Sequence, residues 1–246
     1  MILVLAHHYD HPAKEFVERL RPHDARLLTC RDLSTAGWRY YPGRPYDTRA
    51  VVGGQVVPIE KIDGILTRLP SVSESDLPHI VAADRSYVAA EMTAFLTAWL
   101  SEAPFPVVNR PSPTCLMGCN WRPEQWTHAA ARLGLRTREK RHIVARQKKA
   151  TEDVTKAAPQ ETPEIPTTPT TVTVVGDRCI GDVDAELAAQ AVCLARSASV
   201  ELLSVQFDGA SADAAFVGAY LGAELSQAAV ADALLDCFLN NAVLTN

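Results

Sequence analysis

The stretch over 84–135, DRSYVAAEMTAFLTAWLSEAPFPVVNRPSPTCLMGCNWRPEQWTHAAARLGL, constrains the fold more than any other part of the chain. A long helical pattern, a short apolar run, a Pro-broken loop and a second helical pattern follow one another in it. Val81, Val88, Met92, Phe95 and Trp99 share one stripe at helical spacing, so they need a partner surface and read as core. Pro104 and Pro106 stop the helix, Phe105 to Val108 can form a buried strand, and Asn109-Arg110-Pro111 turns the chain at that strand's carboxyl end. Polar groups at such a strand end lie where open α/β folds hold ligands.

Apolar side chains make up 47% of the 246 residues, enough for one large core or two smaller ones. A net charge of −5 without a large basic cluster argues against nucleic acid or a membrane surface as partner. The N-terminal MILVLAHHYD has a strand-length apolar run but no basic flank or cleavage site, and no stretch approaches the ~18 apolar residues of a membrane span. A cytoplasmic location is the expectation. Six cysteines scattered over a chain of this size read as thiols rather than disulfide staples. Cys115 and Cys119 have a zinc-compatible spacing, but no second ligand pair matches them, so no metal is expected there.

Along the chain, Met1 to Ala6 predicts a strand, and His7-His8-Tyr9-Asp10-His11 a loop into a helix carrying Phe16, Val17 and Leu20. Three histidines so close raise a metal reading, yet no acidic or Cys partner stands at a matching period, and a solvated or cleft-lining loop is the plainer account. Arg26 to Cys30 predicts a second strand and Ile62 to Leu69 a third, with Arg68 at its end. Between them, the aromatic loop 37–43 reads as a cover over the sheet edge, and Gly53-Gly54 as a hairpin turn. This alternation predicts an open, mostly parallel sheet. The segment 136–149 is locally basic without aromatic interleaving, and 151–171 repeats Pro and Thr with almost no large apolar residues, which together read as a linker. Beyond it, Thr171 to Val175, Val200 to Phe207 and Asp213 to Tyr220 predict strands, with a helix capped by Asp184 and a last helix opened by Ser226.

Taken in order, DGILTRLPSV at 63–72, RSYVAAEMTAFLTAWL, FPVVNRPSP and WTHAAARLGL resemble the N-terminal part of ATP-grasp ligases. The subgroup they match best ligates carboxylates to amines on peptides, as graspetide and ribosomal-protein glutamate ligases do. The resemblance implies an α/β fold: a pre-ATP-grasp-like open-sheet domain over 1–135, a basic then Pro/Thr-rich linker over 136–171, and a remnant of the ATP-grasp catalytic core over 172–246. In that remnant VVGD begins a core strand, and LLSVQFDG with FVGAYLGAEL replaces the final strand pair.

The chain departs from the family where nucleotide is held. The interval 134–172 is too short for the lid that supplies lysines and a Gly-rich loop to the phosphates, and 109–139 contains no lysine. Gly218 falls where the family carries Glu, and Tyr220 where it carries Asn; Asp208 remains at the place of an upstream acid and reads as a turn residue.

The expectation is therefore a non-catalytic, ATP-grasp-like accessory protein, a pseudoenzyme that binds a peptide or partner enzyme in peptide modification or natural-product biosynthesis. It has no catalytic residue, no cofactor and no metal. Arg68, Asn109, Arg110, Trp121 and Trp38 are its candidate binding residues, because two arginines can clamp a carboxylate and a Trp offers flat area at low entropic cost. The alternative is a shortened ATP-dependent carboxylate-amine ligase using ATP and Mg, with cations from Arg146, Lys148 and Lys149 or from another subunit. A metal-dependent enzyme using His7, His8 and His11 is a third reading, and a homo-oligomer is left open.

Overall fold

Residues 1–137 and 169–241 are described by the computed structural model. In the first part β1 (Ile2–Leu5) leads to α1 (His11–Arg19), then β2 (Ala25–Leu28) to the one-turn α2 (Cys30–Leu33). The pair β3 (Arg49–Val52) and β4 (Gln55–Pro58) follows, then β5 (Gly64–Thr67), α3 (Arg85–Ser101), β6 (Val107–Val108) and α4 (Pro123–Arg132). The local causes are those the residues dictate. Asp10 caps α1 by accepting the Ala13 N–H at 2.9 Å, with a proline in the first turn. Gly53 and Gly54 take φ of 57° and 75°, a left-handed pair that closes the β3–β4 hairpin without a Cβ penalty.

The first sheet has the order β2-β1-β5-β6, and every pairing in it is parallel. Its strands β1, β5 and β6 are buried on both faces, as is usual in a parallel sheet, while the edge strand β2 exposes Arg26. Leu3, Leu5 and Ile65 face a core with Trp99 and Leu100 of α3 and with Ala50 and Val52 of the hairpin. Ile2, Val4 and Leu66 face the other way, onto Phe16 and Leu20.

The second part runs β7 (Thr170–Val175), β8 (Arg178–Ile180), α5 (Ala185–Ser197), β9 (Leu202–Phe207), β10 (Phe216–Tyr220) and α6 (Ala228–Asn241). Its sheet, β10-β9-β7-β8, is antiparallel throughout. Asp184 caps α5 as expected, and Leu187, Ala191, Leu194 and Ala195 are buried against Val172, Val174, Leu203, Val205 and Phe207. The architecture is that of an open α/β sheet domain joined to a small α+β lobe.

Three features differ from the sequence reading. First, α4 and Leu135 belong to the second core, where Trp126 and Ala130 pack with the strands of the antiparallel sheet. Arg136 and Thr137 follow them, since Phe216 donates its N–H to the Arg136 carbonyl at 2.6 Å and Thr137 bridges to Phe216. By packing, α4 and Leu135 thus go with the second lobe, and the described residues of this part run to Thr137.

Second, α6 packs on both lobes at once. Val230, Leu234 and Phe238 fill a core shared by Ile2, Val4 and Leu66 of the first sheet and by Val175 and Leu202 of the second. Gly64 makes room for it, because a Cβ there would lie 2.3 Å from the Phe238 ring. Burying such a side chain contributes roughly 1.5–3 kcal/mol, so α6 fastens the two lobes together. A helical stripe states that a helix has an apolar face, not which surface it meets.

Third, Val81 precedes α3 and is 71% exposed, whereas Leu96, Trp99 and Leu100 are buried and Val88, Met92 and Phe95 half-buried. The helix starts only at Arg85, so the stripe starts at Val88. The basic and Pro/Thr-rich segments over 138–168 lie outside the described residues. Among the described residues no helix is long and apolar enough to cross a membrane.

Candidate functional site

Loops leaving β1, β2 and β5 meet at the carboxyl edge of the parallel sheet. Asp76 is their buried centre. It accepts the Ser73 N–H at 2.9 Å and the Ser73 hydroxyl at 2.6 Å on one oxygen, and His7 Nδ1 sits on the other. Burial pushes the Asp76 carboxyl up, and the Ser73 and His7 contacts outweigh it, so the group is held below its ordinary range. Asp10 follows the same pattern, its burial outweighed by Arg68 and by the Ala13 N–H. Burial also drives the Cys30 thiol up to about 12, helped by Asp76 and Asp32. That sulfur is a protonated thiol and no nucleophile.

A crevice of about 200 Å³ opens over this edge, floored by Cys30 and Asp76 and flanked by His8, Arg31 and His79. It can receive a small polar group, but it presents no nucleophile with an adjacent base.

The five residues singled out from sequence have separate fates. Arg68 grips Asp10 through Nε at 2.8 Å and Nη2 at 3.3 Å, and donates Nη1 to the Ala223 carbonyl at 3.3 Å. Asn109 is 3% exposed and crosses between lobes, donating to the Leu202 carbonyl at 2.9 Å while Oδ1 accepts the Glu201 and Leu202 N–H groups, both at 2.7 Å. Arg110 covers the end of α3, its guanidinium on the carbonyls of Leu100, Ser101, Ala103 and Phe105 at 3.2–3.4 Å. Trp38 packs edge-on against Phe95 and Trp99 at 5.3 and 5.2 Å and donates Nε1 to the Asp32 carbonyl. The polar groups of these four are thus engaged within the chain. Trp121 alone of the five opens onto a large concavity, a groove of about 600 Å³ along the outer face of α4.

Sequence reading passed over Asp76 and Asp10. A signal existed for Asp76, because Ser73-Glu74-Ser75-Asp76 is a capping box whose acid satisfies the turn's own N–H. Nothing local indicated that the same carboxylate would hold a histidine from a different strand.

On the second lobe, Thr173, Ser204, Gln206, Gly218 and Tyr220 stand in register on the sheet face opposite α5. Val175 and Leu202, on that same face, pack onto the first lobe. The Ser204 hydroxyl donates to the Gly222 carbonyl at 2.9 Å. Asp208 follows β9 at the start of the β9–β10 turn, where it accepts the Ala215 N–H at 2.6 Å. This set of hydroxyls, an amide and a glycine does not fit magnesium, a hard cation that takes carboxylate oxygens when it carries nucleotide phosphates. His7 and His11 turn to different partners, Asp76 and Glu15, and Cys115 and Cys119 are free thiols. Among the described residues no group of three or more His, Cys, Asp or Glu side chains could hold a metal ion.

No family model matches the chain, and no curated protein does. Solved structures do. The macrocyclase MdnC bound with precursor peptide MdnA from Microcystis aeruginosa MRC superposes with a TM-score of 0.64 at 10% identity, covering 98% of this chain and 99% of that one. The ATP-grasp ligase PsnB complexed with minimal precursor, Mg and ADP gives 0.64 at 15%, covering 98% of each chain. A Chryseobacterium gregarium RiPP-associated ATP-grasp ligase in complex with ADP and a leader and core peptide gives 0.60 at 11%, covering 97% and 96%. At such identities what is shared is the fold: the chain is ATP-grasp ligase-like in architecture.

Proposed function

We propose that this chain, an ATP-grasp ligase-like fold, is a non-catalytic accessory protein that binds a peptide or a partner enzyme in peptide modification. Three similar structures carry a precursor, leader or core peptide, and this supports a peptide as partner. One observation carries the non-catalytic part: among the described residues, the strand positions Thr173, Ser204, Gln206, Gly218 and Tyr220 of the second-lobe face carry no carboxylate for a metal-bound nucleotide. The shortness of the interval 134–172 supports the same reading, because phosphate cradling needs a lid that this length does not contain. The protein works in the cytoplasm on this reading, where its six cysteines stay reduced.

Thermal unfolding in millimolar ATP and magnesium tests it. A nucleotide at about a hundred times its Kd would add roughly 2.7 kcal/mol, or about 5–10 °C in Tm for a chain of this size. The expected shift is none. A rise of that order, or ADP formation in the presence of peptide, returns the shortened ligase, whose cations at Arg146, Lys148 and Lys149 lie outside the described residues.

A further inference from the structure

The groove along α4, of about 600 Å³, differs from the sheet edge in what its side chains are doing. Trp121, Ala129 and Leu133 are half-buried: each rests on the second core and leaves its other side open to the groove. Trp121 is braced by Trp126, with ring centroids 4.8 Å apart, so its indole is a fixed platform rather than a mobile side chain. Rigid aromatic surface of this kind anchors partners at low entropic cost.

The rim is charged. Arg132 is exposed at the end of α4 and, among the described residues, has no acidic partner; Arg122 stands exposed at the other end, beside Trp121. One carboxylate, Glu124, opposes them from the first turn, where it answers the helix dipole. His128 lies between. Arg132, unpaired in the lining, and Arg122 next to Trp121 together outnumber Glu124, and this balance complements a carboxylate on a partner.

We propose that this groove is the docking site of an acidic peptide segment, resting on the peptide-binding reading above. An apolar or aromatic side chain of the segment lies on Trp121 and Leu133, and a Glu or Asp reaches the Arg132 guanidinium, which can take it bidentately. The ten residues of α4 span about 15 Å, so an extended segment of roughly four to five residues covers the groove. The segment pattern is therefore an apolar anchor and a carboxylate within that length.

A random dodecapeptide display library selected against the full chain tests the proposal. The enriched peptides should pair an aromatic or aliphatic residue with Glu or Asp within about five positions. Their affinity should fall at least tenfold in Trp121→Ala and in Arg132→Glu, and Lys in place of the peptide's acid should restore binding to Arg132→Glu. Arg132 is exposed, so that variant keeps the fold if Trp121→Ala does not. Enriched peptides that ignore both substitutions, or that carry no acidic bias, overturn the groove while leaving peptide binding intact. No enrichment at all overturns the groove together with the peptide half of that reading and leaves a partner enzyme as the occupant to be sought.

Discussion

The carboxyl edge of the parallel sheet and the outer face of α4 both present concave surface, and they use their polar side chains in opposite ways. At the sheet edge the groups that look ligand-ready in sequence are turned inward. Arg68 is on Asp10, Asn109 is on the second lobe's backbone, Arg110 is on the end of α3, and Asp76 is on Ser73 and His7. Along α4 the indole of Trp121 is braced from behind and Arg132 stands exposed. Net interaction energy comes from groups that exchange water for a partner, and a guanidinium already holding a carboxylate has little left to exchange. The difference teaches that residue type marks capacity, while the partner set decides whether the capacity is still free.

Substitutions can break or sharpen this contrast. The largest effect belongs to Asn109→Ala, which strands the Glu201 and Leu202 N–H groups and the Leu202 carbonyl inside the junction. A loss of roughly 4 kcal/mol in urea unfolding is expected, and a loss under about 1 kcal/mol would show that water reaches the edge and that the contrast is false. Arg68→Ala comes next, at roughly 2 kcal/mol, because it leaves Asp10 half-buried without its cation and frees the Ala223 carbonyl.

Acid comes third. Asp10 and Asp76 both lie below the ordinary 3.8 in the folded protein, so their stabilisation is complete above that value and is lost as pH falls through the folded-state values. Unfolding free energy should hold with respect to these two groups between about pH 7 and 5 and drop below about pH 4, and Asp76→Asn should flatten part of that drop. An acid slope unchanged in Asp76→Asn would mean that Ser73 and His7 do not hold the carboxylate as the geometry indicates. The smallest stability effect is that of Arg132→Glu, within about 0.5 kcal/mol, although the same change should cost at least tenfold in peptide affinity.

Much of the fold was legible from the residues. The parallel strands, the Gly53-Gly54 hairpin, the Asp184 cap and the inward faces of α5 and α6 all follow from local signals, because propensity, capping and periodicity act within a few residues. The site was less legible. Arg68, Asn109 and Arg110, singled out as candidate binding residues, each find partners within the chain: Ala223 for Arg68, Leu202 for Asn109, and the carbonyls closing α3 for Arg110. Asp208 was read as a turn residue and does accept the Ala215 N–H in the β9–β10 turn.

By itself the sequence determined which segments become helix or strand and which faces are apolar. Only the tertiary structure decided that α4 joins the second core, that α6 wedges between the two sheets, and that Trp121 rather than Arg68 is left facing a groove. The reason is physical. Secondary structure is set by interactions a few residues apart, whereas the pairing of an apolar face or of a buried charge is chosen among surfaces far apart in the chain, and that choice exists only once the chain has closed on itself.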